Sequence, residues 1–466
     1  MRPSQSPFFK RHILAMAAFS LLASGCAVGP DYQRPSAVTP AAYKEANNWV
    51  PAAPADALER GPWWTLFNDP VLNELASGIE VSNQNIAVAS ANYAQARALV
   101  REQRAALFPV ITLNGGATKS GGGASSSRTG NTYQANIGGS WEPDVWGRLS
   151  RGVDSASASS QASAADLASA RLSAQGELAT NYFSIRQTDA QQALLASTIA
   201  GYQRTLQITQ NRYAAGIAAK TDVLQAQTQL ANAQAEALGL SRQRAQLEHA
   251  IAVLLGRAPA DFTLASIQWT ASVPEVPLGV PSTLLERRPD IAAAERRVAV
   301  ANEQIGIAQS AFYPSVNLNA SYGFSASAVS DLFSASNSLW SLGLSAAQVL
   351  FNAGATRERV SGAQAAHDAA VARYRQTVLT AFQNVEDQLA ATRVLVQQQA
   401  LRGQASQAAD EAETQMLNRY REGQVSYTEV VTAQASALSA RRALVQVQAD
   451  RQTTAVALIQ SLGGGW

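Results

Sequence analysis

The sequence predicts a mainly α-helical protein that also contributes to a membrane β-barrel, built from one structural unit present twice. Three observations predict this class. Short motifs recur in the same order in both halves, two long proline-free stretches carry helical heptads, and paired alternating apolar segments precede each stretch. A length of 466 residues would by itself suggest about three domains of roughly 150 residues each. The recurrence predicts two similar halves instead.

The duplication rests on three pairs of matching segments. Each pair keeps nearly the same separation along the chain, which indicates an internal repeat. The pairs are 106–114 (ALFPVITLN) with 311–319 (AFYPSVNLN), 211–216 (NRYAAG) with 418–423 (NRYREG), and Leu255-Gly256 with Leu462-Gly463. The predicted organisation is a signal segment 1–25, a proline-rich tether 26–62, a first repeat 63–258, a linker 259–280 and a second repeat 281–466.

The N-terminus has the layout of a secretory signal. Basic residues between Arg2 and His12 precede an apolar run from Ile13 to Ala23, which is too short to remain as a membrane-spanning helix. Ser24 and Gly25 then lead into Cys26, as at a lipoprotein cleavage site where the new N-terminal cysteine is acylated. An ordinary signal peptide with an incidental cysteine is the alternative. The prediction is lipidation of Cys26, and Ala27 after it favours sorting to the outer membrane.

Proline placement locates the long helices, because an interior proline costs a helix roughly 3 kcal/mol. All 17 prolines lie outside 144–258 and 315–466. Apolar and alanine residues in these two windows recur at spacings of three and four, which favours coiled-coil packing at close distance. The predicted helices are 149–213, 222–255, 355–420 and 428–461.

Two alternating segments lie ahead of each long helix and predict four strands, about 109–116, 132–142, 315–325 and 338–350. Such alternation is typical of transmembrane β-barrels, although a soluble sandwich edge would look similar. The secretion signal and the lipid favour the membrane. Bacterial single-chain barrels need at least about eight strands, and open edges are not tolerated in lipid, so several chains must pool their strands. The stretch 120–127 between the first two strands predicts a mobile Gly/Ser loop.

Composition excludes several function classes. Charged residues make up 15 % of the chain and the net charge is +2, so the charge balance does not favour nucleic acid as a partner. One cysteine and three scattered histidines, at 12, 249 and 367, offer no metal-ligand spacing. Nucleophile-elbow, phosphate-loop and zinc-protease motifs are missing from the sequence. We therefore predict no enzyme, no catalytic residues, no cofactor and no metal site.

Four motifs are distinctive: 26–35 (CAVGPDYQRP), 141–148 (WEPDVWGR), 286–291 (ERRPDI) and 462–466 (LGGGW). Together they resemble the TolC-like outer-membrane factors, and in particular the OprM/NodT lipoprotein branch that serves resistance-nodulation-division (RND) efflux pumps. The resemblance covers essentially the whole mature chain.

The resemblance implies an architecture and a set of partners. It implies a homotrimer that closes a twelve-stranded barrel in the outer membrane and continues as a twelve-helix tunnel through the periplasm. It also implies a passive exit duct for small molecules that works with a membrane-fusion (adaptor) protein and an inner-membrane RND pump. A type I secretion channel is the alternative within this class, and a structural coiled-coil lipoprotein is the alternative outside it.

The two Arg-Tyr-x-x-Gly motifs predict helix-hairpin turns, where glycine suits a left-handed cap. Turns alone would suffice for a coiled-coil protein. By resemblance they are the periplasmic tips that dock the adaptor and close the tunnel; the residues are Arg212, Tyr213, Gly216, Arg419, Tyr420 and Gly423. Where relatives often carry a Leu and a lumen-facing Asp, this chain has Thr428 and Thr432, with Glu429 nearby. These three are candidate gate residues, and the acidic ring that the Asp forms in those relatives cannot be assumed for this chain.

Overall fold

The computed structural model describes residues 27–45, 62–121, 130–276 and 287–464. Five parts of the chain lie outside the described residues. They are the signal segment 1–25 with Cys26, the tether residues 46–61, most of the Gly/Ser loop, 277–286 with the end of the linker, and Gly465-Trp466. The described chain contains seven α-helices and four β-strands, besides four short 3-10 helices. The helices and strands follow one another in two series of similar order.

The bounds of the first series are α1 Pro70–Ser82, α2 Gln84–Ala105, β1 Val110–Ser120, β2 Gly130–Trp141, α3 Arg148–Ala214 and α4 Lys220–Leu254. Those of the second are α5 Pro289–Ser310, β3 Ser315–Ala326, β4 Ser338–Ala347, α6 Ala355–Arg421 and α7 Tyr427–Ser461.

Helix lengths reveal the repeat. Helices α2 and α5 have 22 residues each, α3 and α6 have 67, and α4 and α7 have 35. The predicted class, mainly α-helical with four strands from a duplicated unit, is confirmed. The sequence patterns did not indicate α1, α2 or α5, because these shorter helices lie outside the proline-free windows. In α5 a start signal was available: Pro289 is its first residue and Asp290 lies in its first turn.

The residues form two compact units that do not coincide with the two repeats. The sheet unit contains the described residues of 27–36, 92–164 and 293–375. The hairpin unit contains those of 37–91, 165–292 and 376–464. Each unit takes segments from both repeats, because strands of both repeats pair in one sheet while helices of both repeats contribute to each unit.

In the sheet unit, the four strands form one antiparallel sheet in the order β1-β2-β3-β4. The register places Leu113 opposite Ile137, Ile137 opposite Tyr322, and Tyr322 opposite Trp340. Because directly opposed residues share a face, the alternation gives one continuous, mainly apolar face and one face on which Thr, Asn, Gln, Ser and Gly predominate. Strand β4 lies at one edge of the sheet, and its Trp340, Leu342 and Leu344 are exposed.

The core of the hairpin unit forms where the short N-terminal helices meet the long ones. Leu72 and Ile79 of α1 are completely buried, as are Leu178 and Tyr182 of α3. The Tyr182 hydroxyl donates to Asp69 Oδ2 at 2.6 Å, and Asp69 also accepts from the first amides of α1. No helix of the described chain has an apolar stretch sufficient to cross a membrane.

Candidate functional site

The two hairpin turns have the same backbone geometry. In the first, Ile217 N donates to Arg212 O at 2.9 Å and Gly216 N donates to Tyr213 O at 2.9 Å. The second turn repeats this pattern around Gly423. The two glycines have φ of 73° and 77°, the left-handed values of a Schellman cap. The predicted role of Gly216 and Gly423 as helix-ending residues therefore has a direct geometric basis.

The turns meet through Arg212. Its Nη1 atom donates to Tyr420 O at 3.0 Å and to Arg421 O at 2.9 Å, which are carbonyls at the end of α6. Its guanidinium also lies 4.8 Å from the centre of the Tyr420 ring, a cation–π geometry. One side chain of the first turn thus holds the backbone and an aromatic ring of the second.

Below this contact lies an aromatic and aliphatic cluster. Tyr420 and Tyr427 are 3 % and 2 % exposed, and their ring centres are 5.3 Å apart. They pack with Ala226 and Val430. Burial, followed by the nearby Tyr420, Tyr202 and Asp222, raises the pKa of Tyr427 above its ordinary value. Tyr427 therefore stays neutral, and the cluster is a rigid support for the turns.

The repeated motif does not give the two turns equal environments. Tyr420 is buried, whereas the equivalent Tyr213 is 47 % exposed. Arg212 is half-buried and bonded to the second turn, whereas Arg419 is exposed. Together, the exposed Tyr213 and Arg419 leave an aromatic ring and a cation available to a partner.

The candidate gate residues lie at the start of α7. Thr428, Thr432 and Glu429 are all exposed. The Thr432 hydroxyl donates to Thr428 O at 2.9 Å, back along its own helix. Glu429 accepts from Ser426 N at 2.9 Å, as the glutamate of a capping box does. Glu429 therefore has a local role in starting α7, besides any role it has at a gate.

The WEPDVWGR motif forms the junction between strand β2 and helix α3. Asp144 accepts from Leu149 N and Ser150 N at 2.8 and 2.7 Å and so caps α3. Trp141 Nε1 donates to Leu107 O just before β1, and Trp146 Nε1 donates to Pro314 O just before β3. The motif ties the helix-side ends of three strands together.

An ion cluster in the hairpin unit was not foreseen. Arg244 Nε lies 2.7 Å from Asp189 Oδ1, and Asp189 is buried. Arg186, which is 1 % exposed, donates to Ala265 O at 2.7 Å. No local pattern in the sequence indicates this cluster, because its partners come from separate helices and the linker. Its position indicates that it fastens the linker to α3 and α4.

Across the described part of the chain, no group of three or more His, Cys, Asp or Glu side chains could hold a metal ion. Cys26, the predicted lipidation site, lies outside the described residues.

The family model described as outer membrane efflux protein matches residues 75–257 and 280–464. The chain belongs to this family. Its two matched segments correspond closely to the two repeats, and the family is one of efflux channels.

Individual proteins agree with this assignment. The chain is 32 % identical over 465 residues to the toluene efflux pump outer membrane protein TtgC of Pseudomonas putida, covering 98 % of this chain and 96 % of that protein. It is 27 % identical over 450 residues to the cation efflux system protein CusC of Escherichia coli, covering 96 % and 97 %. The solved structure of the outer-membrane channel OprN has a TM-score of 0.86 and 31 % identity, with 95 % of this chain and all of that chain covered.

These findings confirm the resemblance drawn from the four motifs and the outer-membrane location. The predicted function is confirmed as that of an outer-membrane channel in an efflux system, ahead of a secretion outlet or a coiled-coil lipoprotein.

Proposed function

We propose that three copies of this efflux channel close one twelve-stranded barrel in the outer membrane, continued by a tunnel of their long helices α3, α4, α6 and α7. The homotrimer is the passive exit duct of a tripartite pump, supplied by an inner-membrane RND pump through a periplasmic adaptor. It has no chemistry of its own. Cys26 carries the lipid that anchors each chain to the outer membrane.

The single observation that carries this proposal is the sheet. Its four strands have one continuous apolar face and two outer edges, on β1 and β4, that pair with no other described strand. Unpaired strand edges are unstable in lipid, and four strands are too few to close a barrel. Pairing β4 of one copy with β1 of the next removes every edge at once. The polar face then lines a lumen suited to polar and amphipathic solutes.

The turns supply the proposed docking end. The exposed residues Tyr213 and Gly216 of the first turn and Arg419 and Gly423 of the second form one surface on which the adaptor binds. Arg212 and the buried Tyr420 belong to this docking end as the contact that holds the two turns together.

The relatives are named for toluene and for cations, which indicates that the duct itself does not fix the substrate. Susceptibility of a deletion strain to organic solvents, antibiotics and metal ions would identify the substrates of this system.

Charge on the two faces of β4 tests the barrel. We expect Leu342→Lys to prevent accumulation of heat-resistant trimers, because a lysine on the lipid face near the bilayer midplane costs roughly 2–4 kcal/mol per copy. The matched control is Ser341→Lys, one residue away on the polar face, which should form trimers at the wild-type level. Trimers are measured by unheated gel electrophoresis of outer-membrane fractions. Equal trimer yields from the two variants would contradict the barrel.

A further inference from the structure

The segment that follows Cys26 is held to the rest of the chain, here called the body, by hydrogen bonds from side chains rather than by regular secondary structure. Residues 27–36, here called the strap, contain no helix or strand. Pro30 O accepts hydrogen bonds from Arg151 Nη1 at 3.2 Å and Asn302 Nδ2 at 3.1 Å. Ser36 O accepts from Arg375 Nε at 3.2 Å. A tether that served only as a spacer would need none of these contacts.

Two glycines allow the strap to cross helix α5 in direct backbone contact. Gly29 has a φ of +117°, and a Cβ built on it would lie 2.5 Å from the Gly306 Cα. A Cβ on Gly306 would in turn overlap the Arg151 side chain, lying 2.9 Å from its Cζ. Real Cβ atoms do not approach so closely. Gly306 therefore leaves space both for the strap and for the arginine that binds it.

Arg151 is a buried cation whose partners include the strap. It is 6 % exposed, and its Nη1 lies 2.7 Å from Glu303 Oε2. Withdrawing such a pair from water carries a large desolvation cost that further hydrogen bonds must offset. Its Nε has no partner in the described residues. The bond to Pro30 O is therefore one of few that satisfy this guanidinium.

Tyr32 adds a side-chain contact to these backbone contacts. Its hydroxyl donates a hydrogen bond to Glu295, which is 4 % exposed and also pairs with Arg296. The Arg296 guanidinium lies 6.0 Å from the centre of the Tyr32 ring. Burial, the bond to Glu295 and its negative charge raise the pKa of Tyr32, so the hydroxyl remains a donor.

The first residue of the strap lies at the helix-side ends of the strands. Val28 N donates to Trp146 O at 3.1 Å, and a Cβ on Gly147 would lie 3.0 Å from the Ala27 Cβ. Trp146 itself stacks on Tyr313 at 4.8 Å and bonds to Pro314 O, directly before β3. The body thus fixes the residue next to Cys26 at the boundary between sheet and helices.

We propose that Arg151, Asn302, Glu303 and Glu295, with the space left by Gly306, form a docking site for the strap. Docking holds the acylated N-terminus at the level where the strands enter the membrane. The acyl group in this inference rests on the proposed lipidation of Cys26, whereas the docking does not. The Gly-Pro-Asp-Tyr portion of the strap then has a specific role: it sets the height at which the lipid enters the bilayer.

Chymotrypsin provides the test, because it cuts after Tyr32 and the docked strap protects that bond. In full-length trimers from outer membranes, we expect Gly306→Ala to raise the rate of cleavage after Tyr32 at least tenfold, since the new methyl group displaces Arg151. The matched control is Gly362→Ala in α6, where a Cβ meets nothing within 4 Å. It should leave the rate unchanged. The product is the body that begins at Gln33, identified by N-terminal sequencing.

A second variant keeps the test valid if Gly306→Ala fails to fold. Tyr32→Phe removes one oxygen from the strap, leaves the body unchanged and keeps a chymotrypsin site, and it should be cut several times faster than wild type. Wild-type cleavage rates in every folded variant would overturn the docking site.

The mass of the released N-terminal peptide tests the lipid separately. An unacylated peptide would overturn lipidation of Cys26 alone, and fast cleavage of the wild type would overturn docking alone.

Discussion

Replacing Gly423 with valine is expected to abolish efflux while trimers remain in the outer membrane. Gly423 has a φ of 77° and is exposed, at the end of α6. A left-handed backbone is strained for any β-branched residue, by about 1–3 kcal/mol. Valine would shift the turn out of its Schellman geometry and so displace the Arg419 and Tyr420 carbonyls and the cation offered by Arg419. The sheet contains no part of this turn, so trimer assembly should continue.

Two controls separate docking from general strain. Gly423→Asn places a residue that tolerates the left-handed region at the same point, and efflux should largely survive. Gly354→Val imposes the same strain at a φ of 89°, but just before α6 and outside the turns. Efflux is measured as drug accumulation in a deletion strain that carries each variant, and trimers are measured on unheated gels. Full transport by the Gly423→Val trimer would rule out a role of this turn in docking.

Patterns that depend on neighbours in the chain were readable from the sequence. Proline exclusion and heptads located the four long helices, and alternation located the strands, because helix and strand periods act within a few residues. The left-handed glycines of both turns were also readable, since a glycine directly after the last periodic residue of a helix favours such a cap. The apolar face of the sheet follows from the same alternation once the register is known.

Contacts between distant segments were not readable in the same way. Arg212 and Arg419 occupy equivalent places in one motif, yet only Arg212 turns toward the other hairpin. Tyr213 and Tyr420 likewise differ in burial. A duplicated sequence predicts duplicated local structure, but the pairing of the two hairpins makes one turn the donor and the other the acceptor. The docking of Pro30 and Tyr32 on α3 and α5 escaped detection for the same reason.

Truncating Arg212 is expected to loosen the two hairpin turns, which by resemblance close the tunnel. Its two bonds to the Tyr420 and Arg421 carbonyls are charge-assisted, each worth roughly 1.5–3 kcal/mol when desolvated, and the cation–π contact adds about 0.5–2 kcal/mol. Partial exposure of Arg212 reduces these values. A loss of about 1.4 kcal/mol already changes an equilibrium tenfold. Arg212→Ala should therefore raise the open fraction at least tenfold, measured as the time-averaged conductance of single channels in planar bilayers.

Arg419→Ala is the matched control, because it removes the same side chain from the equivalent place in the second turn. Arg419 is exposed, so its loss should lower efflux through weaker docking and leave conductance at the wild-type level. Both channels should respond little to divalent cations, since Thr428 and Thr432 supply no acidic ring at the start of α7. Equal conductance of Arg212→Ala and Arg419→Ala channels would show that Arg212 does not hold the two hairpins closed. A strong block by divalent cations would instead assign the gate to a carboxylate, for which Glu429 is the nearest candidate.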